Sequence, residues 1–150
     1  MGEKEETLIP QPYSELSDLD ILTLAVWREA RGEQTLGQRA VAHVIRNRTF
    51  TPKWWNGHTA GSYHAVILFP YQFSSFNPGD PNADLWPTND LSFTSCREAA
   101  LWVPCGMDPD NTDGAVMYHD TSIGWPTSWG NEADFVNTVN TGHLRFYKPK

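Results

Sequence analysis

The sequence predicts an α+β fold, a mostly helical domain with a small antiparallel β-sheet. Residues 17–32 and 36–48 carry apolar side chains at helical spacing, with the start and stop signals of helices around them. Residues 115–119 and 143–147 are β-prone runs that alternate in polarity well enough to pair as antiparallel strands. The two helices near the N-terminus and the two strands near the C-terminus are therefore the main predicted elements of the domain.

Capping signals mark the ends of the first two helices. Ser17 with Asp20 resembles a capping box, and Gly32 is the residue type expected just past a helix end. Thr35 and Gln38 form a second capping box in front of the next helix. Because the link between these helices is so short, they must pack against each other.

Weaker patterns predict the other elements. Ser62 is expected to cap a short helix over residues 63–69, and residues 91–103 form another helix. Residues 108–114 are interpreted as a turn, because their glycine falls one place late for a calcium-binding EF-hand loop. A short helix is also expected over residues 133–139, between the two strands.

Glu29 is the candidate catalytic acid within the first helix. At about 100° per residue it falls on the same side as the apolar residues Leu19, Leu22, Val26 and Ala30. A carboxylate that faces a core from the last helical turn loses hydration and lies at the negative end of the helix dipole. Both effects raise its expected pKa, and a general acid must hold its proton near neutral pH. The alternative is a half-buried Glu29 paired with Arg28, Arg31 or another arginine.

Composition limits the classes of function. A length of 150 residues fits one domain, and we expect an N-terminal arm at residues 1–16 and a catalytic domain at residues 17–150. The arm is expected to pack back on the domain through Ile9 and Tyr13. The net charge of -7 argues against a nucleic-acid partner, which needs clustered lysine and arginine.

The acidic start lacks a secretory signal and no apolar run could span a bilayer, so we expect synthesis in the cytoplasm and no membrane insertion. Cys96 and Cys105 match no zinc spacing and are expected to be reduced; we expect no metal, no cofactor and a monomer.

The run from Trp27 to Arg48, WREARGEQTLGQRAVAHVIRNR, resembles the opening of the SleB/CwlJ family of cell-wall hydrolases. Members of that family carry AEARGE, then EGQ, then AVAxVIxNR. Three further motifs follow in the family's order, and the similarity extends over residues 22–147. They are a QF pair at Gln72 and Phe73, a GAxxY pattern at Gly114, Ala115 and Tyr118, and an HxxFY ending at His143, Phe146 and Tyr147.

The resemblance implies a lysozyme-like fold, similar to that of lytic transglycosylases, and cleavage of peptidoglycan glycan strands between N-acetylmuramic acid and N-acetylglucosamine. Its catalytic acid is the first glutamate of EARGE, which is Glu29 here. In the route we expect, lytic transglycosylation, the substrate's acetamido group assists and a 1,6-anhydro sugar forms, so that no second carboxylate is required. In the alternative, a hydrolytic muramidase, a second carboxylate acts, and Glu33 is the nearest in sequence.

Two functions of other classes stay open at this point. A zinc amidase would need metal ligands, and the five histidines show neither HxxxH nor HxH spacing. A peptidoglycan-binding module without catalysis would keep the aromatic residues and lose nothing when Glu29 is changed.

Candidate substrate-binding residues come from the motifs and from the seven tryptophans. The amide of Gln72 is a candidate to bind the substrate or the catalytic carboxyl, with a structural role as the equal alternative. For His143 a core role is the favoured interpretation. Tryptophan rings stack on the apolar faces of sugars, although core packing is at least as good an interpretation for each ring. The full set of candidates is Gln72, Phe73, Tyr118, Trp54, Trp55, Trp86, Trp125 and His143.

The chain also departs from the family pattern, because spore-type members usually carry a signal peptide and a separate peptidoglycan-binding domain. A leaderless single domain resembles a phage or prophage endolysin, which accumulates in the host cytoplasm until a holin opens the membrane. We therefore predict that co-expression with a holin lyses the host, measured as a fall in culture turbidity. Cells that stay intact after the holin has opened the membrane would contradict this prediction.

Overall fold

The computed structural model describes residues 7–51, 53, 61–88 and 90–150. Within these residues the chain forms four α-helices, a three-stranded sheet and short 3-10 turns, so the predicted α+β class is confirmed. The helices are α1 (Asp18–Ala30), α2 (Thr35–Phe50), α3 (Tyr63–Leu68) and α4 (Leu91–Trp102). The strands are β1 (Met117–Asp120), β2 (Phe135–Thr141) and β3 (Leu144–Pro149).

Helix α1 is the central element of the helical layer, in contact with α2, α3 and α4. It begins where predicted, because the Ser17 side chain accepts a hydrogen bond from the backbone N–H of Asp20. The predicted apolar stripe is too narrow, however: Leu24 and Arg28 on its other side are buried as well. A helix enclosed by three others has no solvent face to carry polar residues.

Helix α2 begins differently from the prediction. Its N-cap is Gln34, whose side chain makes no capping bond, so the predicted Thr35–Gln38 capping box is wrong. The Gln38 amide instead donates to the carbonyl oxygens of Ala30 and Glu33, at 3.4 and 3.1 Å. Gln38 thereby binds carbonyl groups at the end of α1 and in the turn that follows it, where the helical hydrogen-bond pattern ends. This contact fixes the turn between the two helices.

Helix α3 begins with the predicted cap, and α4, for which no cap was predicted, is capped by Asp90. The Ser62 hydroxyl accepts from the N–H of Ala65, and the Asp90 carboxylate accepts from the N–H of Phe93. Burial raises the pKa of the Cys96 thiol on α4 to about 12, so this cysteine stays protonated and unreactive near neutral pH. No helix among these described residues has the length and apolar character to cross a bilayer.

The sheet has the order β1–β3–β2 with antiparallel pairing throughout. The predicted pairing of the two β-prone runs is confirmed, with Tyr118 opposite Phe146. The short helix predicted over residues 133–139 is wrong, because most of that stretch belongs to β2. Gly142, at φ +58°, closes the β2–β3 hairpin, and the long-range pairing outweighs the weak local helix signal.

The described part of the N-terminal arm packs back on the helices, but not through all the residues expected. Tyr13 contacts the rings of Phe76 and Trp86, at centroid distances of 5.2 and 6.1 Å. Ile9, which was expected to pack as well, is 71% exposed, and the preceding Leu8 is buried instead. The arm therefore covers the loop that follows α3.

Candidate active site

A cleft of about 670 Å³ lies between the helical layer and the sheet. Glu29 enters it from the last turn of α1, Arg48 from α2, and Gln72 from the loop after α3. Strand β1 and the loop that follows it form the opposite wall. The lining residues on this second side are Tyr118, His119, Asp120, Ile123, Pro126, Ser128 and Trp129.

The Glu29 carboxyl is half-buried and each of its oxygens accepts a hydrogen bond. The Tyr118 hydroxyl donates to Oε1 and the Ser75 hydroxyl donates to Oε2, both at 2.6 Å. Because a carboxyl oxygen has more than one acceptor position, this arrangement orients the group and still leaves capacity toward the cleft. Both bonds come from hydroxyl groups, and neither comes from Arg28 or Arg31, the two arginines named in the alternative interpretation.

Arg28, beside Glu29 in sequence, points away from the cleft. Its guanidinium donates to the carbonyl oxygens of Leu85, Ala83 and Ser75, at 3.0, 2.9 and 3.3 Å. Arg28 therefore holds the loop that carries Ser75, and with it the hydroxyl that bonds Glu29.

Tyr118 and Arg48 determine the electrostatic surroundings of the Glu29 carboxyl. Burial, followed by the charge of Glu29 and the hydrogen bond to it, raises the pKa of Tyr118 well above its ordinary value. Burial lowers the pKa of Arg48 to about 10, although Tyr118 and Glu29 act in the opposite direction. At neutral pH the site thus has a neutral phenol donor and a buried cation close to a carboxyl group.

Gln72 and Phe73 line the cleft and both contact Arg48. The Gln72 Oε1 accepts from Arg48 at 3.2 Å, which turns the amide nitrogen of Gln72 to donate elsewhere. The buried Phe73 ring lies 5.1 Å from the Arg48 guanidinium. Arg48 also donates to the carbonyl of Val116 at 2.6 Å, so it ties α2 to the segment leading into β1.

Of the four tryptophans predicted as candidate substrate-binding residues, the structure describes two. Trp54 and Trp55 lie outside the described residues. Trp86 packs on Tyr13, and the Arg28 guanidinium lies 5.3 Å from its ring centre, away from the cleft lining. Trp125 lies behind the cleft wall, where its indole N–H donates to the Gly130 carbonyl. Among the tryptophans that the structure describes, Trp129 lines the cleft, with its ring centre 5.3 Å from that of Trp125.

The structure places Glu33 and His143 away from Glu29, in a separate pocket of about 360 Å³. Glu33 Oε1 accepts from the backbone N–H of His143 at 2.9 Å, and Oε2 lies 3.0 Å from Nδ1 of the same residue. A β-carbon at Gly142 would collide with Oε1. The interpretation of His143 as a core residue is wrong, because its side chain is 75% exposed. We call these contacts the Glu33–His143 clamp; it joins the α1–α2 turn to the β2–β3 hairpin.

Sequence reasoning missed several residues of this site, among them Arg48, Ser75, Asp120 and Trp129. Arg48 lies within the recognised motif, but nothing in its spacing shows that it is buried beside Glu29. Ser75, Asp120 and Trp129 lie in or next to loops, where neither helical nor strand periodicity tells which way a side chain points. The EARGE motif singles out Glu29 as the candidate acid, and the partners of its carboxyl group appear only in three dimensions.

Comparison with known proteins gives matches over most of the chain. The family model for cell wall hydrolases matches residues 32–147. The spore cortex-lytic enzyme of Halalkalibacterium halodurans is 34% identical over 125 residues, which cover 81% of this chain and 33% of that protein. The spore cortex-lytic enzyme of Bacillus subtilis is 33% identical over 114 residues, 76% of this chain and 33% of that protein. The chain spans about a third of the length of these curated relatives.

Two solved structures share the fold. The catalytic domain of the Bacillus cereus SleB protein aligns with a TM-score of 0.65 and 28% identity, over 98% of both chains. The catalytic domain of the germination-specific lytic transglycosylase SleB from Bacillus anthracis aligns with a TM-score of 0.64 and 28% identity, over 93% of this chain and all of that one. The family match begins after Glu29, so the assignment of the acid rests on the EARGE motif and on the cleft geometry.

The Glu33–His143 clamp predicts a pH dependence of stability. The hydrogen bond and the charge of Glu33 raise the pKa of His143 above 6.5, so protonated His143 is favoured in the folded state. The contribution of protonated His143 to the free energy of unfolding is complete below about pH 6.5. It is lost as the pH rises through the raised pKa. In urea denaturation, His143→Gln should therefore differ most from the wild type in mildly acid solution and least at alkaline pH. A difference that is constant with pH would contradict this assignment.

Proposed function

The chain belongs to the cell wall hydrolase family, and from that premise we propose that it cleaves the glycan strand of peptidoglycan with Glu29 as the acid and base. The bond cleaved is the one between N-acetylmuramic acid and N-acetylglucosamine. One observation of the structure carries this proposal. Glu29 is a half-buried carboxyl that lines a cleft and is oriented by two neutral hydroxyl donors, Tyr118 and Ser75.

The hydroxyl groups of Tyr118 and Ser75 lower the free energy of the transition state for proton transfer from Glu29. When Glu29 gives its proton to the leaving glycosidic oxygen, negative charge develops on its two oxygens. Hydrogen bonds from Tyr118 and Ser75 strengthen as that charge grows, and Arg48 stabilises it at longer range. Interactions that are stronger in the transition state than in the ground state raise kcat.

We propose lytic transglycosylation as the reaction. After departure of the first sugar, the Glu29 carboxylate takes the proton from the 6-hydroxyl of the muramyl residue, whose oxygen then bonds to C1. The bond to the leaving sugar breaks with its electron pair on the glycosidic oxygen, and the proton lost from the 6-hydroxyl regenerates the acid. The position of Glu33 in the Glu33–His143 clamp supports this route, because both of its oxygens are bonded to His143 and Glu33 is not among the residues that line the Glu29 cleft.

A hydrolytic muramidase is the second candidate, and one observation favours it. Asp120 lines the same cleft and lies on the same face of β1 as Tyr118, two residues along the strand. Hydrogen bonds from Ser122 lower the pKa of Asp120, so it is ionised at neutral pH. In a muramidase this carboxylate, rather than Glu33, would stabilise the sugar cation or activate a water.

Three isosteric variants separate these roles. Glu29→Gln should lower kcat on purified peptidoglycan by about 10²–10⁴-fold, since it removes the proton donor. Glu33→Gln should leave kcat within about threefold, because its amide oxygen can still accept from His143. Asp120→Asn should behave as Glu33→Gln does if transglycosylation is correct. Turbidity clearing is the measurement, and equal clearing by wild type and Glu29→Gln, or clearing by neither, would overturn the proposed enzyme in favour of a binding module.

The products identify the reaction class directly. We predict that mass spectrometry of the digest finds muropeptides one water lighter than hydrolysed ones, with no new reducing ends. Products with free reducing ends, together with loss of activity in Asp120→Asn, would establish a muramidase instead.

We also propose, as the sequence led us to expect, that the enzyme acts on the cell wall as a phage or prophage endolysin after synthesis in the cytoplasm. The holin co-expression experiment above tests this role independently of the reaction chemistry.

A further inference from the structure

His119 is a buried residue of the cleft wall that the proposed chemistry does not use. It follows Tyr118 on β1 and is only 6% exposed. Its ring stacks on Tyr147 at 5.5 Å and 13°, and lies 6.0 Å from the Trp129 ring. It therefore belongs to a cluster of aromatic rings with Trp125, Trp129 and Tyr147 at the end of the cleft. This cluster lies on the other side of β1 from the hydrogen bond between Tyr118 and Glu29.

The hydrogen bonding of this ring fixes the role of each nitrogen. Nδ1 lies 2.8 Å from the Asp120 carbonyl oxygen, and a carbonyl only accepts, so Nδ1 carries the hydrogen. In the neutral ring Nε2 is then an acceptor. Nε2 is buried and has no hydrogen-bond partner among the described residues. A buried acceptor without a donor destabilises the folded protein, so its retention in a cleft wall requires a reason.

We propose that Nε2 of His119 accepts a hydrogen bond from a hydroxyl or an acetamido N–H of a glycan bound at this end of the cleft. The proposal rests on the proposed function, since it makes His119 part of a sugar subsite for the same substrate. The adjoining wall suits a sugar: Pro126 and Trp129 are apolar, and Ser128 provides a hydroxyl.

Access to Nε2 requires a local movement. The nitrogen is covered, and the neighbouring Trp129 side chain is only partly buried, whereas Trp125 is held by its bond to Gly130. Trp129 is therefore the ring that shifts when a sugar reaches Nε2. Binding should accordingly change tryptophan fluorescence.

The test measures binding to a Glu29→Gln protein, so that substrate is not consumed. The probe is a tetrasaccharide of alternating N-acetylglucosamine and N-acetylmuramic acid. Three variants of His119 are compared by calorimetry and tryptophan fluorescence: Gln keeps a polar group near the Nε2 position, Asn keeps one near the Nδ1 position, and Phe keeps only the ring.

The inference predicts a specific order of affinities. His119→Phe and His119→Asn should raise Kd about three- to tenfold, and His119→Gln should stay within about twofold of the parent. His119→Phe should unfold at a temperature close to the parent's. It loses the Nδ1–H bond to the Asp120 carbonyl, which still accepts from the Ile123 N–H, but it also removes the unpaired nitrogen and keeps the stacked ring. That combination separates a sugar contact from a structural role, which would lower stability and affinity together.

Equal affinity of the Phe variant and its parent would overturn the inference, and so would a tetrasaccharide that does not bind the parent at all. If His119→Phe does not fold, the Gln and Asn pair decides, and equal affinities of that pair would also overturn the inference. Failure of the proposed function would show differently, as unchanged wall clearing by Glu29→Gln.

Discussion

The site depends on two hydrogen bonds to one carboxyl group. Ser75 lies 46 residues from Glu29 in the sequence, and Tyr118 lies 89 residues away. The two bonds form only if α1, the loop after α3 and β1 are all held in register. Most of α1 is buried, so the end that carries Glu29 is fixed by the core itself. The orientation of the acid is thus a product of the whole fold.

Two buried arginines keep these segments together. Arg28 binds three carbonyl groups of residues 75–85, and Arg48 binds the Val116 carbonyl and the Gln72 amide. Loops cannot satisfy their own backbone groups as helices and strands do, and a guanidinium has five donors in a rigid arrangement for this purpose. The charged residues at the end of α1 and in the NR motif of α2 therefore have distinct functions. Glu29 lines the cleft with its carboxyl, and Arg28 and Arg48 position the donors around it.

The features of the fold and the site that depend on local sequence signals could be predicted, and those that depend on contacts between distant residues could not. The capped helices α1, α3 and α4 and the β1–β3 pair are predicted from local signals, and the position of Glu29 follows from helical spacing and the EARGE motif. Strand β2 could not be predicted, because its identity depends on pairing with β3. The same holds for Glu33, whose partner His143 lies 110 residues further along the chain. Trp129 lies in a short 3-10 turn after β1, where no periodicity predicts the direction of its side chain, and Asp120 lies one residue past the run 115–119 that was predicted as a strand.

The central claim is that Tyr118 and Ser75 stabilise the charge that develops on Glu29. The most direct measurement is kcat and KM of the Tyr118→Phe, Ser75→Ala double variant on soluble glycan strands, with its unfolding temperature as the check on folding. The account predicts a kcat at least about tenfold lower with a nearly unchanged KM, because both bonds matter most in the transition state. A folded double variant with the kcat of the wild type would contradict it.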